Sequence, residues 1–126
     1  MAITYNAYAY VNSNEFISLQ QITGTSGGSD IINLVSQDTH AIYKHAVFQI
    51  LIASINTNVV CRFEGSLDGV NWYNLDEASA TETYTANGTY FMEYRGEGCS
   101  RFIRFYKVSE SGGTDSTIDL KVKVFN

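Results

Sequence analysis

The side chains that could do chemistry are few and scattered. His40 and His45 lie near Asp38, and an imidazole beside a carboxylate can act as a general base once a nucleophile or substrate proton is placed against it. No such nucleophile is signalled. The chain has no G-x-S-x-G elbow, H-E-x-x-H helix, glycine-rich phosphate loop or paired-cysteine zinc spacing. His40 is therefore expected in a loop and His45 on a strand face. Asp76, Glu77 and Glu82 can be drawn as a carboxylate pair, but they fall in a polar turn and read as a solvated rim. A calcium site built from Asp30, Asp68 or Asp76 would need a dense run of oxygen ligands, which the sequence does not supply. Cys61 and Cys99 sit among apolar or aromatic neighbours, as buried free thiols do, and two cysteines make no disulfide framework. No catalytic, cofactor or metal residue is assigned, and the chain is expected to bind or assemble rather than catalyse.

Elements that would position these groups are strands. The 126 residues include nine Tyr, seven Phe, ten Gly and no Pro, with 44% hydrophobic and 17% charged residues. That length suits one domain able to bury a core. Aromatic and β-branched residues suit half-buried pleated surfaces, and glycine supplies the turns between them. Residues 117–124 alternate fully, with Ile118, Leu120, Val122 and Val124 on one side and Thr117, Asp119, Lys121 and Lys123 on the other. Residues 59–66 repeat the pattern, with Val59, Cys61 and Phe63 inward and Arg62 and Glu64 outward. Residues 46–53 have almost no polar side and predict a central strand covered on both faces. Further strands are expected at 31–35, 70–75, 81–86, 89–94 and 102–108.

Asp68-Gly69, Asn87-Gly88 and Ser111-Gly112-Gly113 separate these runs, and Asn-Gly and Asp-Gly readily take the positive φ angles that tight hairpins demand. The sum is an all-β chain: a single antiparallel β-sandwich over residues 1–126, jelly-roll or Ig-like, with little helix. Residues 14–22 fit either a short helix capped by Ser13, carrying Phe16, Leu19 and Ile22 on one side, or a strand. Residues 23–29 read as an exposed polar loop. Residues 2–11, with Tyr5, Tyr8 and Tyr10, form either an edge strand or an arm reaching a neighbouring subunit.

A formal charge of −5 argues against nucleic acid as partner. Arg95, Arg101, Arg104 and Lys107 are spread over a hydrophobic stretch and should solvate strand faces or pair with nearby acids. The N-terminus lacks the basic start and apolar run of a signal peptide. The longest apolar stretch is too short to span a bilayer as a helix. Synthesis in a reducing cytoplasm, without a membrane partner, is the expectation.

The most distinctive segment is Glu64-Gly65-Ser66-Leu67-Asp68-Gly69-Val70-Asn71-Trp72-Tyr73-Asn74-Leu75. It reads as a structural hairpin in which Ser66 and Asp68 bond nearby N–H groups, Gly69 turns the chain and Trp72 covers the sheet. It differs from the Asp-box of sialidase-like propellers, S-x-D-x-G-x-x-W, by one missing residue and by occurring once. It shares the S-x-D-G-x-x-W turn of discoidin-like sandwiches without their cysteine framing.

With Thr89-Tyr90, Arg101-Phe102-Ile103-Arg104 and the Ser111-Gly112-Gly113-Thr114 turn before an alternating strand, residues 59–124 resemble small β-sandwich structural proteins of tailed bacteriophages. That resemblance implies a virion component, most specifically an auxiliary capsid (decoration) protein. It would assemble in symmetric copies against a major capsid protein or another virion protein; a tail or neck component is the alternative. Tyr73, Tyr84, Tyr90, Tyr94 and Tyr106 could be sheet-face pairs, subunit contacts, or a sugar-stacking platform. The last would make the chain a carbohydrate-binding module. A hydrolase without a recognisable motif is the remaining class.

Overall fold

The structure, a computed structural model, describes residues 8–10, 16–35, 42–75, 81–95, 100–113 and 116–125. It is all β, with two sheets face to face. The strands are β1 (Tyr8–Tyr10), β2 (Ile17–Ser18), β3 (Gly27–Gly28), β4 (Ile31–Asn33), β5 (His45–Ala53), β6 (Asn58–Ser66), β7 (Tyr73–Asn74), β8 (Glu82–Tyr84), β9 (Gly88–Arg95), β10 (Phe102–Ser111) and β11 (Thr117–Phe125). One sheet runs β1-β4-β10-β6-β7, with β3 also on β10 and β8 also on β6; the other runs β2-β11-β5-β9. The pairs β3/β4 and β7/β8 each behave as one interrupted edge strand, because both members pair with the same neighbour. Counted so, eight strands cross between sheets at most connections in the order of a jelly roll. β1 is added outside this frame and runs parallel to β4, Tyr8 opposite Ile31, so the sandwich is antiparallel except at this rim.

The core forms where inward-facing parities meet. Ile50, Ile52, Ile118, Leu120 and Val122 from one sheet pack against Val59, Cys61, Phe63, Ile103 and Phe105 from the other. Phe63 lies at its centre, with its ring edge-on to both Phe48 and Phe105 at centroid distances of 5.2 Å.

Several expectations change. β5 is central in its sheet but covered on one face alone: Ala46, Phe48, Ile50 and Ile52 are buried, while Leu51 and Ala53 are exposed. Asn87-Gly88 is not a hairpin, since β8 and β9 belong to different sheets, and Ser111-Gly112-Gly113 likewise joins β10 to β11 across sheets. Residues 70–75 yield only the short β7. Residues 16–22 are not helical: Leu19 and Ile22 are buried while Phe16 is exposed, and Leu19 N–H donates to Leu120 O at 2.9 Å. Part of the Thr23–Ser29 segment is sheet, because β3 pairs with Tyr106 and Lys107, and Ser29 is buried.

Candidate functional site

The loop joining β6 to β7 is organised by two side chains. Gly65 opposite Tyr73 is its last ladder pair, so the reversal is wider than the expected two-residue turn. Ser66 Oγ accepts from Gly69 N–H at 2.8 Å, and Asp68 Oδ1 accepts from the Val70 and Asn71 N–H groups, both at 2.8 Å. Asn71 Nδ2 donates to Asp68 Oδ2 at 2.8 Å. The backbone N–H of Asn71, then that of Val70, holds the Asp68 carboxyl well below the usual carboxylate range, with help from the Asn71 and Ser66 side chains. Gly69 has φ +77°, which a side chain resists. Gly65 is required for space: a Cβ there would meet Leu75 Cδ2 and Ser100 Oγ at 2.6 Å.

This loop brings Trp72 over the outer face of the seven-stranded sheet. There Glu64 is only 3% exposed, although it points away from the core. The register places Arg104 opposite Glu64 and Tyr106 opposite Arg62. Arg62 Nε and Nη2 approach Glu64 Oε2 at 2.8 and 2.7 Å, and Arg104 Nε donates to Oε1 at 2.7 Å. The Arg104 guanidinium lies 4.0 Å from the Trp72 ring centroid and 5.0 Å from that of Tyr106. Rings and guanidinium planes thus roof the carboxylate and replace the water it lost.

A second buried ion pair closes one end of the sandwich. Lys107 has the inward parity of Ile103 and Phe105 and is fully buried; of its two expected roles, it pairs with a nearby acid and does not solvate a strand face. Its three N–H donors go to Gly24 O, Glu110 Oε1 and Ser116 Oγ at 2.7, 2.7 and 2.8 Å. Ser116 Oγ–H also donates to Glu110 Oε1 at 2.6 Å. Burial raises the Glu110 pKa, but the hydrogen bonds from Lys107 and Ser116 outweigh it and the carboxyl stays below its ordinary value. Cys61, opposite Lys107 in the ladder, is a free thiol pushed up to about 12 by burial, with Lys107 opposing. At neutral pH it is protonated and a poor nucleophile.

The outer face of the four-stranded sheet is different. Phe91 is 66% exposed, Leu51 44% and Phe16 43%, and the register puts Gln49 opposite Phe91 and Leu51 opposite Thr89. Beside Leu51, a shallow depression of about 260 Å³ is lined by Ser18, Gln49, Asp119 and Lys121. At the far end of the face His45 stacks on Phe125 at 4.9 Å. Its Nε2 lies 2.9 Å from Glu93 Oε1, within ion-pair reach when protonated but without hydrogen-bond alignment. Arg95 pairs with the same carboxylate.

The tyrosines do not form one platform. Tyr94 is buried in the core, Tyr84 and Tyr90 pack on each other at 4.5 Å and against the core, and only Tyr106 joins Trp72 on the outer face. Tyr73 is exposed and its hydroxyl bonds Ser100 Oγ. Of the proposed interface residues, Tyr8 and Tyr10 lie on β1 and Tyr5 lies outside the described residues. Asp38, His40, Asp76, Glu77 and Cys99 also lie outside them. Asp30 accepts from Gln20 N–H at 2.9 Å, and Glu82 is an exposed residue of β8. Among the described residues no group of three His, Cys, Asp or Glu side chains converges as a metal site. No described helix is long and apolar enough to cross a membrane.

Pairing of Arg104 and Lys107 with nearby acids was one of the two expected roles; sequence reasoning missed that Glu64 and Glu110 are the partners and that both carboxylates are buried. The inward parity of Lys107 was a readable signal; the roofing of Glu64 was not, because its cover comes from another strand and from a loop. Compared with known proteins, the chain matches no family model and no curated protein.

Proposed function

We propose that this chain is a non-enzymatic virion structural protein, most specifically an auxiliary capsid protein that packs in symmetric copies on a phage particle. The observation that carries the reading is the uncovered apolar surface of the four-stranded sheet, where Phe91 and Leu51 stand on strand faces with nothing from the described chain over them. Large exposed apolar groups sharing one sheet face of a well-packed sandwich suit a surface that is covered on assembly. The buried charges do not compete with this role. Glu64, Lys107 and Glu110 are each spent on partners within the chain. Jelly rolls serve both capsids and lectins, so the fold supports assembly without selecting it.

Mass spectrometry and labelling of purified particles test the reading. The chain should be present in fixed stoichiometry to the major capsid protein and accessible on the outside. Its absence from particles would overturn the proposal. A carbohydrate module is the second reading, favoured by Trp72 and Tyr106 on one outer face. Glycan binding by the monomer that is lost in Trp72→Ala would install it instead.

A further inference from the structure

The edges of the two sheets are unequally protected. The seven-stranded sheet is bordered by short pieces: β1 and β8 have three residues each and β7 two. On the other sheet, β2 has two residues but β9 has eight, paired to β5 from His45↔Arg95 to Ile52↔Gly88 without a register shift. Long edges are ordinarily blunted by charged side chains, Pro or a bulge. β9 has no Pro and no bulge, its two charges, Glu93 and Arg95, pair with each other at one end, and among the described residues nothing pairs with its far side.

We infer that β9 is the seam for a second copy of this chain, pairing antiparallel about a two-fold axis at Phe91 so that two four-stranded sheets continue as one. This deepens the assembly reading by naming the partner and the surface.

A second copy fits because the strand is complementary to itself in this register. Phe91 meets Phe91 of the second copy, Tyr90 meets its Met92, Thr89 its Glu93 and Gly88 its Tyr94. Every pair keeps outward residues beside outward ones, as antiparallel pairing requires. Glu93 is the one charge between residues 88 and 94. It is already engaged by Arg95 within its own chain, and here it faces a threonine. A register centred on Glu93 would set two carboxylates together, and one centred on Met92 would set Glu93 against the Phe91 ring. Tyr90 and Met92 are half-buried at the free edge, and the pairing adds ring–thioether contact between them. Main-chain hydrogen bonds supply affinity along the edge, and an isologous contact closes as a dimer.

Sedimentation velocity of the full chain should show a concentration-dependent dimer. Phe91→Cys should cross-link on mild oxidation, because directly opposed residues fall within disulfide reach. Leu67→Cys, at an equally open position on the Asp68 loop (70% exposed), should not cross-link above wild type. Phe91→Lys should weaken the dimer at least tenfold, with the melting temperature unchanged at concentrations where wild type is monomeric. Amide exchange over residues 88–94 should slow as concentration rises, a readout that needs no variant. A chain that stays monomeric with concentration-independent exchange overturns the seam. So does a dimer that survives Phe91→Lys and cross-links no better at 91 than at 67. Particles that carry the chain but give no Phe91→Cys cross-link overturn the seam while leaving the virion reading intact. A cross-linked dimer absent from particles supports the seam and removes the virion role.

Discussion

The outer faces of the two sheets start from similar material and end in opposite states. On the seven-stranded sheet, Glu64 has drawn in Arg62 and Arg104, and Trp72 closes over the group. On the four-stranded sheet, Phe91 and Leu51 remain in the open. A buried charge must recruit partners from its own chain because desolvation without them costs several kcal/mol. An exposed apolar ring carries no comparable demand and can wait for a partner. The first face is thereby committed to stability, and the second carries no such commitment.

This contrast can be broken from its most costly side. Glu110→Ala leaves the fully buried Lys107 ammonium without its anion and should destabilise by about 3–5 kcal/mol in chemical denaturation. The double variant Lys107→Met, Glu110→Leu should recover much of that loss. Acid acts in the same direction. The folded-state pKa of Glu110 is depressed, so its contribution is complete above the unfolded carboxylate pKa near 4 and is lost as pH falls through the folded value. Urea midpoints below about pH 4 should therefore fall more steeply for wild type than for the double variant.

On the closed face, Glu64→Gln removes the charge facing two guanidinium groups that are partly solvated and should cost about 2 kcal/mol. An unchanged midpoint would mean that the roof of rings, not the carboxylate, holds the face together. Gly69→Val forces a β-branched residue to φ +77° and should cost about 1 kcal/mol or more. Thermal melting would register it, and an unaffected Tm would show that the loop can relax. The smallest effect belongs to the open face. Leu51→Gln should change stability by less than about 0.5 kcal/mol, and a larger loss would show that this surface supports the monomer after all.

The strands were legible where local alternation decides burial, as in residues 117–124 and 59–66, because period two is a property of the chain itself. Their sheet membership was not. Gly and Asn reverse the chain equally well into a hairpin or into a crossover, so Asn87-Gly88 and Ser111-Gly112-Gly113 carry the same signal in either role. The uncovered side of β5 was misread for a related reason: Leu51 and Ala53 look like core residues, and only the sheet stacking shows that they face outward. Ser66 and Asp68 were readable because their partners lie within a few residues. Glu64 needed Arg104 from β10, a contact fixed by strand register alone.

The jelly-roll connectivity also governs when the molecule can form. β5 acquires its two neighbours only from β9 and β11, and Ile52 must wait for Ile118. β6 gains β7 and β8 soon after it is made, but neither sheet can be completed early, and β6 and β5 each keep one edge unpaired until β10 and β11 emerge. Topologies of this kind fold slowly and expose sticky intermediates while they wait. In a cell making many copies at once, yield would then be limited by the interval between translation of β5 and arrival of β11. Lower temperature or a holding chaperone should raise yield without altering the native state.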